Sequence, residues 1–166
     1  MKKNLIILFL MITFPIKAFA LIEVDITRGN LNPLPLAVSP LSIDDESKKS
    51  FEKILKKENI GSEISIIVEN NLRTSGLFNP ISKDAFLQAP DIANLKPRFE
   101  DWNLIKAQAL ITGKVTYVNE KLRVEFRLWD ILAAKEMMAL AFTTVPSNWR
   151  RVGHIISDKV YERLTG

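Results

Sequence analysis

Three consecutive segments near the carboxyl end constrain the fold most, because each is patterned as a β-strand and only short turns join them. They are residues 109–118, 122–130 and 137–144. In the second segment every even-numbered residue from Leu122 to Leu128 is apolar and polar or charged residues stand between, which is typical of a strand with one buried face. Gly113 in the first segment is typical of a β-bulge. The sequence therefore predicts a three-stranded meander.

Two helices are predicted from apolar residues at helical spacing. One begins at Ser62 as N-cap and ends at Gly76, and its stripe is Ile64, Ile67, Val68 and Leu72. The other is capped by Ser147 and ends at Gly166, with the stripe Trp149, Val152, Ile156, Val160 and Leu164. A shorter helix is expected over residues 98–106, after a linker that Pro90 and Pro97 bracket.

Two short apolar segments, residues 36–39 and 77–81, complete the predicted strands. Pro80 removes a ladder donor, so the second of them suits a sheet edge. The charged stretch 44–57 is either a surface helix with a solvated face or a mobile loop. The resulting order predicts an α/β fold, in which a mixed five-stranded sheet is flanked by helices.

The amino terminus has the order of a secretory signal: a basic start, an apolar run over residues 5–12, and the small-residue site Ala18-Phe19-Ala20. The run has about half the roughly 20 apolar residues that a membrane-spanning helix needs. Cleavage is expected after Ala20, which makes residues 1–20 a signal peptide. The protein would then begin at Leu21, and an uncleaved anchor is the alternative.

Removal of residues 1–20 changes the charge of the chain. The whole sequence has 23 Lys and Arg against 19 Asp and Glu, and the signal contains three lysines and no acid. The remainder is nearly neutral, with 20 bases against 19 acids. This balance does not favour nucleic acid or an anionic membrane as the partner. Without cysteine the fold has neither disulfides nor a thiolate zinc site, so it depends on its hydrophobic core.

The first residues after the signal alternate as in a strand. They are Leu21, Ile22, Glu23, Val24, Asp25, Ile26 and Thr27, with Ile22, Val24 and Ile26 on one face. A turn-rich linker follows up to Pro35. Residues 21–35 are therefore interpreted as a tethered, strand-competent segment and its linker, and residues 36–166 as one domain. The alternative is that residues 21–27 form the first strand of the sheet.

The sequence offers little for catalysis. His154 is the only histidine and faces away from the apolar stripe of its helix. Acids at 44–46 and 100–101 lack a glycine-bearing calcium loop, and phosphate-binding glycine motifs are missing. We expect no enzyme activity, no metal and no cofactor. Trp102 and Trp149 are expected in the core, and Trp129 lies on the polar side of its strand, where a covering helix is favoured over an interface.

Several segments resemble the amino-terminal domain of the TolB family, which belongs to the bacterial Tol-Pal system. They are the sequence Leu-Arg-Thr-Ser-Gly-Leu-Phe at 72–78, Leu-Ile-Thr-Gly-Lys-Val at 110–115, and the run at 149–166 that ends in Leu-Thr-Gly. The resemblance covers nearly all of residues 21–166. It implies a fold similar to the anticodon-binding domains of synthetases and a location in the periplasm. The stretch 44–57 looks longer and more charged than the family's connector.

The resemblance also implies partners. Family members bind TolA through the segment that corresponds here to residues 21–27, in a complex that maintains outer-membrane integrity and supports its invagination at division. Strand addition would explain such binding physically, since an extended peptide gains main-chain hydrogen bonds at a sheet edge. Family members bind Pal through a β-propeller that follows Leu-Thr-Gly. This sequence stops at Gly166, so a fragment or a shortened protein is expected.

Three alternatives remain at this point. A nucleic-acid-binding domain is suggested by the anticodon-binding likeness, although fold alone does not determine function. A generic periplasmic scaffold without the Tol-Pal role is a second alternative. A periplasmic hydrolase with a carboxylate pair is the third, and the sequence names no such pair.

Overall fold

A computed structural model describes residues 32–166, except for the side chains of residues 92, 93 and 95. Six strands are described: β1 (Leu34–Val38), β2 (Ser42–Ile43), β3 (Phe78–Pro80), β4 (Ala109–Val118), β5 (Lys121–Asp130) and β6 (Lys135–Thr144). Five helices are described: α1 (Asp45–Leu55), α2 (Ile60–Thr74), α3 (Pro90–Leu95), α4 (Phe99–Leu104) and α5 (Trp149–Thr165). Short 3-10 turns occupy Lys83–Ala85 and Pro146–Asn148.

The strands form one mixed sheet in the order β3-β1-β4-β5-β6. β1 pairs in parallel with both β3 and β4, and the meander β4-β5-β6 is antiparallel. The α/β class and the meander are confirmed, and among the described strands the one with Pro80 lies at an edge, as predicted. A sixth strand was not predicted: the two-residue β2 pairs in parallel with β4 beyond the end of β1. β1 also begins at Leu34, two residues earlier than expected.

One face of the sheet is covered by α2 and α5. The predicted stripe of α5 is buried in full, since its five residues are at most 4% exposed. The stripe of α2 contributes Ile64, Val68 and Leu72, while Ile67 is partly buried against the same cluster. The alternating even-numbered residues of β5, Leu122 to Leu128, complete this core. Hydrophobic burial along these two helices therefore holds them on the sheet.

The opposite face has a smaller core at one end. Trp129 is buried there beside Trp102, and the Phe99 ring of α4 packs edge-to-face on Trp129 at 5.9 Å. The predicted cover over Trp129 is thus confirmed. Trp102 donates its indole N–H to Gln88 Oε1 at 2.6 Å, which ties α4 to the loop that precedes α3. The rest of this face, towards β6, carries half-buried and exposed side chains.

The bulge predicted at Gly113 is wrong. Gly113 pairs in register with Phe126, and a Cβ there would lie 2.3 Å from the Glu125 carbonyl oxygen. Glycine is needed because the neighbouring strand approaches too closely for a side chain. The irregularity of the sheet lies between β5 and β6 instead, where Leu128 faces Met138 and Trp129 faces Glu136. Met137 is the extra residue, as expected of a bulge.

Several helix boundaries differ from the predictions. The charged stretch after residue 44 is a helix, because Asp44 caps it and Phe51 is buried beneath it. Asn59, rather than Ser62, caps α2 by accepting from the Ser62 N–H at 3.1 Å. Ser147 lies in a 3-10 turn, and α5 begins only at Trp149.

The expected linker between Pro90 and Pro97 contains the helix α3. Pro90 occupies its first turn, where the missing N–H costs nothing. The segment between the two prolines is therefore more regular than the sequence predicted.

Candidate functional site

The predicted partner-binding residues 21–27 lie outside the described part of the chain. The structure does fix where the chain enters the sheet after them. β1 begins at Leu34 in an inner position, with β3 on one side and β4 on the other. The position of β1 does not show what residues 21–27 do, so their role stays a prediction.

His154 lies on the exposed side of α5, as the helical spacing indicated. Its Nδ1 is 2.8 Å from Asn71 Nδ2, and the same amide nitrogen donates to Ser157 Oγ at 3.0 Å. These contacts join α2 to α5 at the surface, so the contact of His154 is a structural one. Covalent catalysis uses a nucleophile paired with a base, and neither Ser157 nor Asn71 forms such a pair with His154.

Within residues 32–166, no cluster of three or more histidine and acidic side chains could hold a metal ion. In the same part of the chain, every helix is too short or too polar to cross a bilayer. The surface features that remain are those of a sheet with two unlike edges.

The two edges of the sheet differ in length and chemistry. β3 has three residues and ends in Pro80, so it offers little main chain to another strand. β6 has ten residues, and among the described strands only β5 pairs with it. Alternate residues along its outer side therefore direct main-chain N–H and C=O groups away from the sheet.

β6 also lacks the features that usually protect an edge. From residue 138 to residue 144 it reads Met-Ala-Leu-Ala-Phe-Thr-Thr, without a charge or a proline. Charged residues, prolines and bulges are the common means of preventing strand addition. Here the bulge at Met137 and the charges of Lys135 and Glu136 are confined to the beginning of the strand. We call residues 138–144 the free edge.

A groove of about 360 Å³ runs between the free edge and α5, and we call it the helix-side groove. From the strand it is lined by residues 141–144, and from the helix end by Asn148, Arg151, Val152 and Ile155. Phe142 packs on the core at its floor, where its ring stacks on Phe126 at 6.0 Å. The floor is thus apolar, whereas the helix wall combines apolar Val152 and Ile155 with polar Asn148 and Arg151.

A second groove of about 200 Å³ lies on the other face of the same strand, and we call it the open-face groove. The small side chains of Ala139 and Ala141 leave it shallow, and Arg123, Glu125 and Arg127 of β5 form its far wall. Arg123 pairs with Glu125 at 2.7 Å, and Arg127 pairs with Glu136 at 3.2 Å. All four of these charged side chains are between a third and a half exposed.

The surroundings of the free edge carry more positive than negative charge. Two arginines line the open-face groove, a third lines the helix-side groove, and Arg163 donates to the Met137 carbonyl at 3.4 Å. Against these four arginines stand Glu125 and Glu136. The free edge thus joins main chain that no described strand pairs with, a groove with an apolar floor and a groove with a basic wall.

An edge of this kind can accept an extended peptide. Main-chain hydrogen bonds would supply affinity, and alternate side chains of the peptide would enter the two grooves. The sequence predicted the strand but not this property. One signal was available: the last strand of a meander is an edge unless another strand inserts beside it, and residues 138–144 contain no protecting residue.

Comparison with known proteins gives consistent results. Residues 22–137 match the family model of the TolB amino-terminal domain. The chain is 83% identical over 164 residues to the Tol-Pal system protein TolB of Pelagibacter ubique (strain HTCC1062); the match covers 99% of this chain and 36% of that protein. This chain thus spans about a third of the length of that relative. The crystal structure of TolB from Acinetobacter baumannii shares the fold, with a TM-score of 0.62 and 21% identity over 88% of this chain and 32% of that one.

Proposed function

The chain belongs to the TolB amino-terminal domain family, and from this membership we propose that it acts in the periplasm as a protein–protein interaction component of the Tol-Pal system. The observation that carries the proposal is the 83% identity to a Tol-Pal system protein across nearly the whole chain. At that identity most residues of this chain are the same in the relative. The proposed role in the cell is to maintain outer-membrane integrity and to support invagination of the outer membrane at division, without catalysis.

Export is the first step of this proposal. The basic start, the apolar run and the small-residue site at Ala20 support a cleavable signal peptide. Sequencing the amino terminus of the protein recovered from the periplasm tests it. We expect Leu21 as the first residue, and recovery of residues 1–20 on the exported protein would contradict the cleavage.

Within the system, residues 21–27 are proposed to bind TolA by adding a strand to it. The alternation of apolar Ile22, Val24 and Ile26 with acidic Glu23 and Asp25 supports strand addition, because one face can enter a hydrophobic groove while main-chain groups pair. The remaining partner of the family, Pal, is proposed to bind outside the residues that this chain shares with its relative. Neither interaction requires a cofactor.

Deletion of residues 21–27 tests the TolA proposal. Titration of the periplasmic part of TolA against the chain from Leu21 and against the chain from Arg28 should show binding only by the first. The melting temperatures should agree closely, because the described core begins at Leu34. Equal affinity of the two forms would remove the proposal.

A single substitution separates strand pairing from side-chain contacts. Val24→Pro removes a main-chain donor and should abolish TolA binding. Val24→Thr keeps the donor and the β-branched shape, so it should weaken binding by about tenfold or less. Loss of binding with both variants would place the affinity in the Val24 side chain instead.

A further inference from the structure

We propose that the free edge, residues 138–144 of β6, accepts an extended strand from a partner protein whose residues alternate between apolar and acidic. The partner strand would extend the sheet beyond β6. This interaction is distinct from the one proposed for residues 21–27 and does not depend on it. The domain would then donate one strand and accept another, which suits a connecting protein.

The length of the free edge fits a whole strand. Seven residues without charge or proline are available, and strands in globular proteins most often have about five or six residues. β5 already uses the inner side of β6 along its length. A partner strand would therefore find an uninterrupted row of main-chain donors and acceptors on the outer side.

The two faces of the free edge select different side chains. Phe142 and Thr144 point to the face covered by α5, where Val152 and Ile155 form the apolar part of the groove wall and Asn148 and Arg151 its polar part. On this side, apolar side chains of the added strand would be removed from water. Ala139 and Ala141 point to the opposite face and are small and exposed, so side chains added there would reach the β5 wall.

Charge decides which side chains suit the open face. Arg123 and Arg127 form its wall, and each is already paired with one glutamate at a partly exposed position. Arg127 also donates its Nη1 to the Asn94 carbonyl and side-chain oxygens at 3.3 and 3.4 Å. The guanidinium N–H groups that favour a further carboxylate therefore lie mainly on Arg123. A second copy of this chain paired along β6 would offer these arginines no carboxylate from its own residues 138–144, because that segment carries no charge. The arginines therefore favour an acidic partner strand over self-association.

A synthetic peptide can serve as the probe. We would use a blocked peptide of roughly nine alternating valines and glutamates, which matches the length of ordinary strands. The chain from Leu21 should bind it, with an affinity that falls as salt is added. The same peptide with lysines in place of glutamates should bind at least about tenfold more weakly. Equal binding of the two peptides would overturn the charge assignment, and no binding of either would overturn the proposal.

Substitutions at Ala141 locate the site. Ala141→Glu should lower the affinity for the glutamate peptide at least about tenfold and raise the affinity for the lysine peptide, because it adds a negative charge beside the basic wall. Ala141→Lys is the matched control and should retain the glutamate peptide. Ala141 is exposed, so both variants should melt close to the parent chain. Unchanged affinities in both variants would place the peptide elsewhere and overturn the proposal.

Main-chain pairing and the other occupants are tested together. Peptides N-methylated at alternate residues lose half of their donors, and one of the two possible sets should abolish binding. If both bind like the parent peptide, strand addition is wrong. A large gain in peptide affinity on deletion of residues 21–27 would identify that segment as the occupant, and a dimer dissociated by Ala141→Glu would identify a second copy. Either result would overturn the proposal that a partner protein supplies the strand.

Discussion

The indole nitrogen of Trp129 in β5 donates a hydrogen bond to the Thr112 hydroxyl in β4 at 2.9 Å, and both groups are buried. Leu110 pairs directly with Trp129, and Thr112 lies two residues further along β4 on the same face, so the bond runs diagonally across the two strands. It satisfies the only polar atom of a large ring that α4 seals from water. The bond therefore explains how a tryptophan is tolerated on this face.

Thr112→Val should destabilise the protein by about 1–3 kcal/mol, because it leaves a buried indole N–H without an acceptor. Chemical denaturation measures this. Thr112→Ser keeps the hydroxyl and loses one methyl group, so its cost should be about 1 kcal/mol. A valine variant as stable as the serine variant would show that the indole finds another acceptor.

Asp44 caps α1, and its stabilising effect should depend on pH. The Ser47 backbone N–H donates to its carboxylate at 2.9 Å, and this bond lowers the pKa of Asp44 below its ordinary value of 3.8. The folded form thus binds a proton less readily than the unfolded form. The contribution is complete above the ordinary pKa and is lost as the pH falls through the folded one.

Asp44→Ala should therefore cost about 1 kcal/mol at neutral pH, the usual value of a helix N-cap, and progressively less below pH 4. Urea denaturation of both proteins across this range measures the difference. Asp44→Asn caps without titrating, so its stability relative to alanine should stay constant with pH. A constant difference for the aspartate as well would contradict the assigned bond.

Trp149 anchors the beginning of α5 between two cations. Its ring lies 5.3 Å from the Lys57 ammonium and 4.3 Å from the Arg150 guanidinium carbon, and only 4% of the residue is exposed. Trp149→Ala should cost about 3–5 kcal/mol by leaving a cavity. Trp149→Phe fills part of that space and should cost less than half as much. Thermal or chemical denaturation of both variants would decide whether the helix depends on this anchor.

Gly113→Ala should be strongly destabilising, by about 1–3 kcal/mol or more, because the new methyl group would overlap the Glu125 carbonyl oxygen and the Leu41 side chain. Lys114→Ala, at the exposed neighbouring position, should change stability by no more than about 0.5 kcal/mol. Denaturation curves of the pair measure the contrast. Comparable stability of the two variants would mean that β4 and β5 can separate at Gly113 without cost.

Local pattern alone predicted most of the secondary structure. The period-2 alternation from Leu122 to Leu128 identified β5, and the helical spacing of the apolar residues in α5 identified both the helix and its buried face. Errors arose where a boundary depends on one hydrogen bond, as at Asn59, or on close approach of another strand, as at Gly113. The proposed role of residues 21–27 remains a prediction.

The amino-acid sequence by itself determined most of the strands and helices and the buried faces of β5 and α5, because periodicity and hydrophobicity are properties of the local chain. Only the tertiary structure decided the order of the strands. β1 lies between β3 and β4, β4 and β6 pair both sides of β5, and within residues 32–166 no strand pairs with the outer side of β6. Every residue except proline carries the same main-chain donor and acceptor, so these groups do not specify which strands pair. Long-range packing, rather than local sequence, therefore determines which strand lies at the edge.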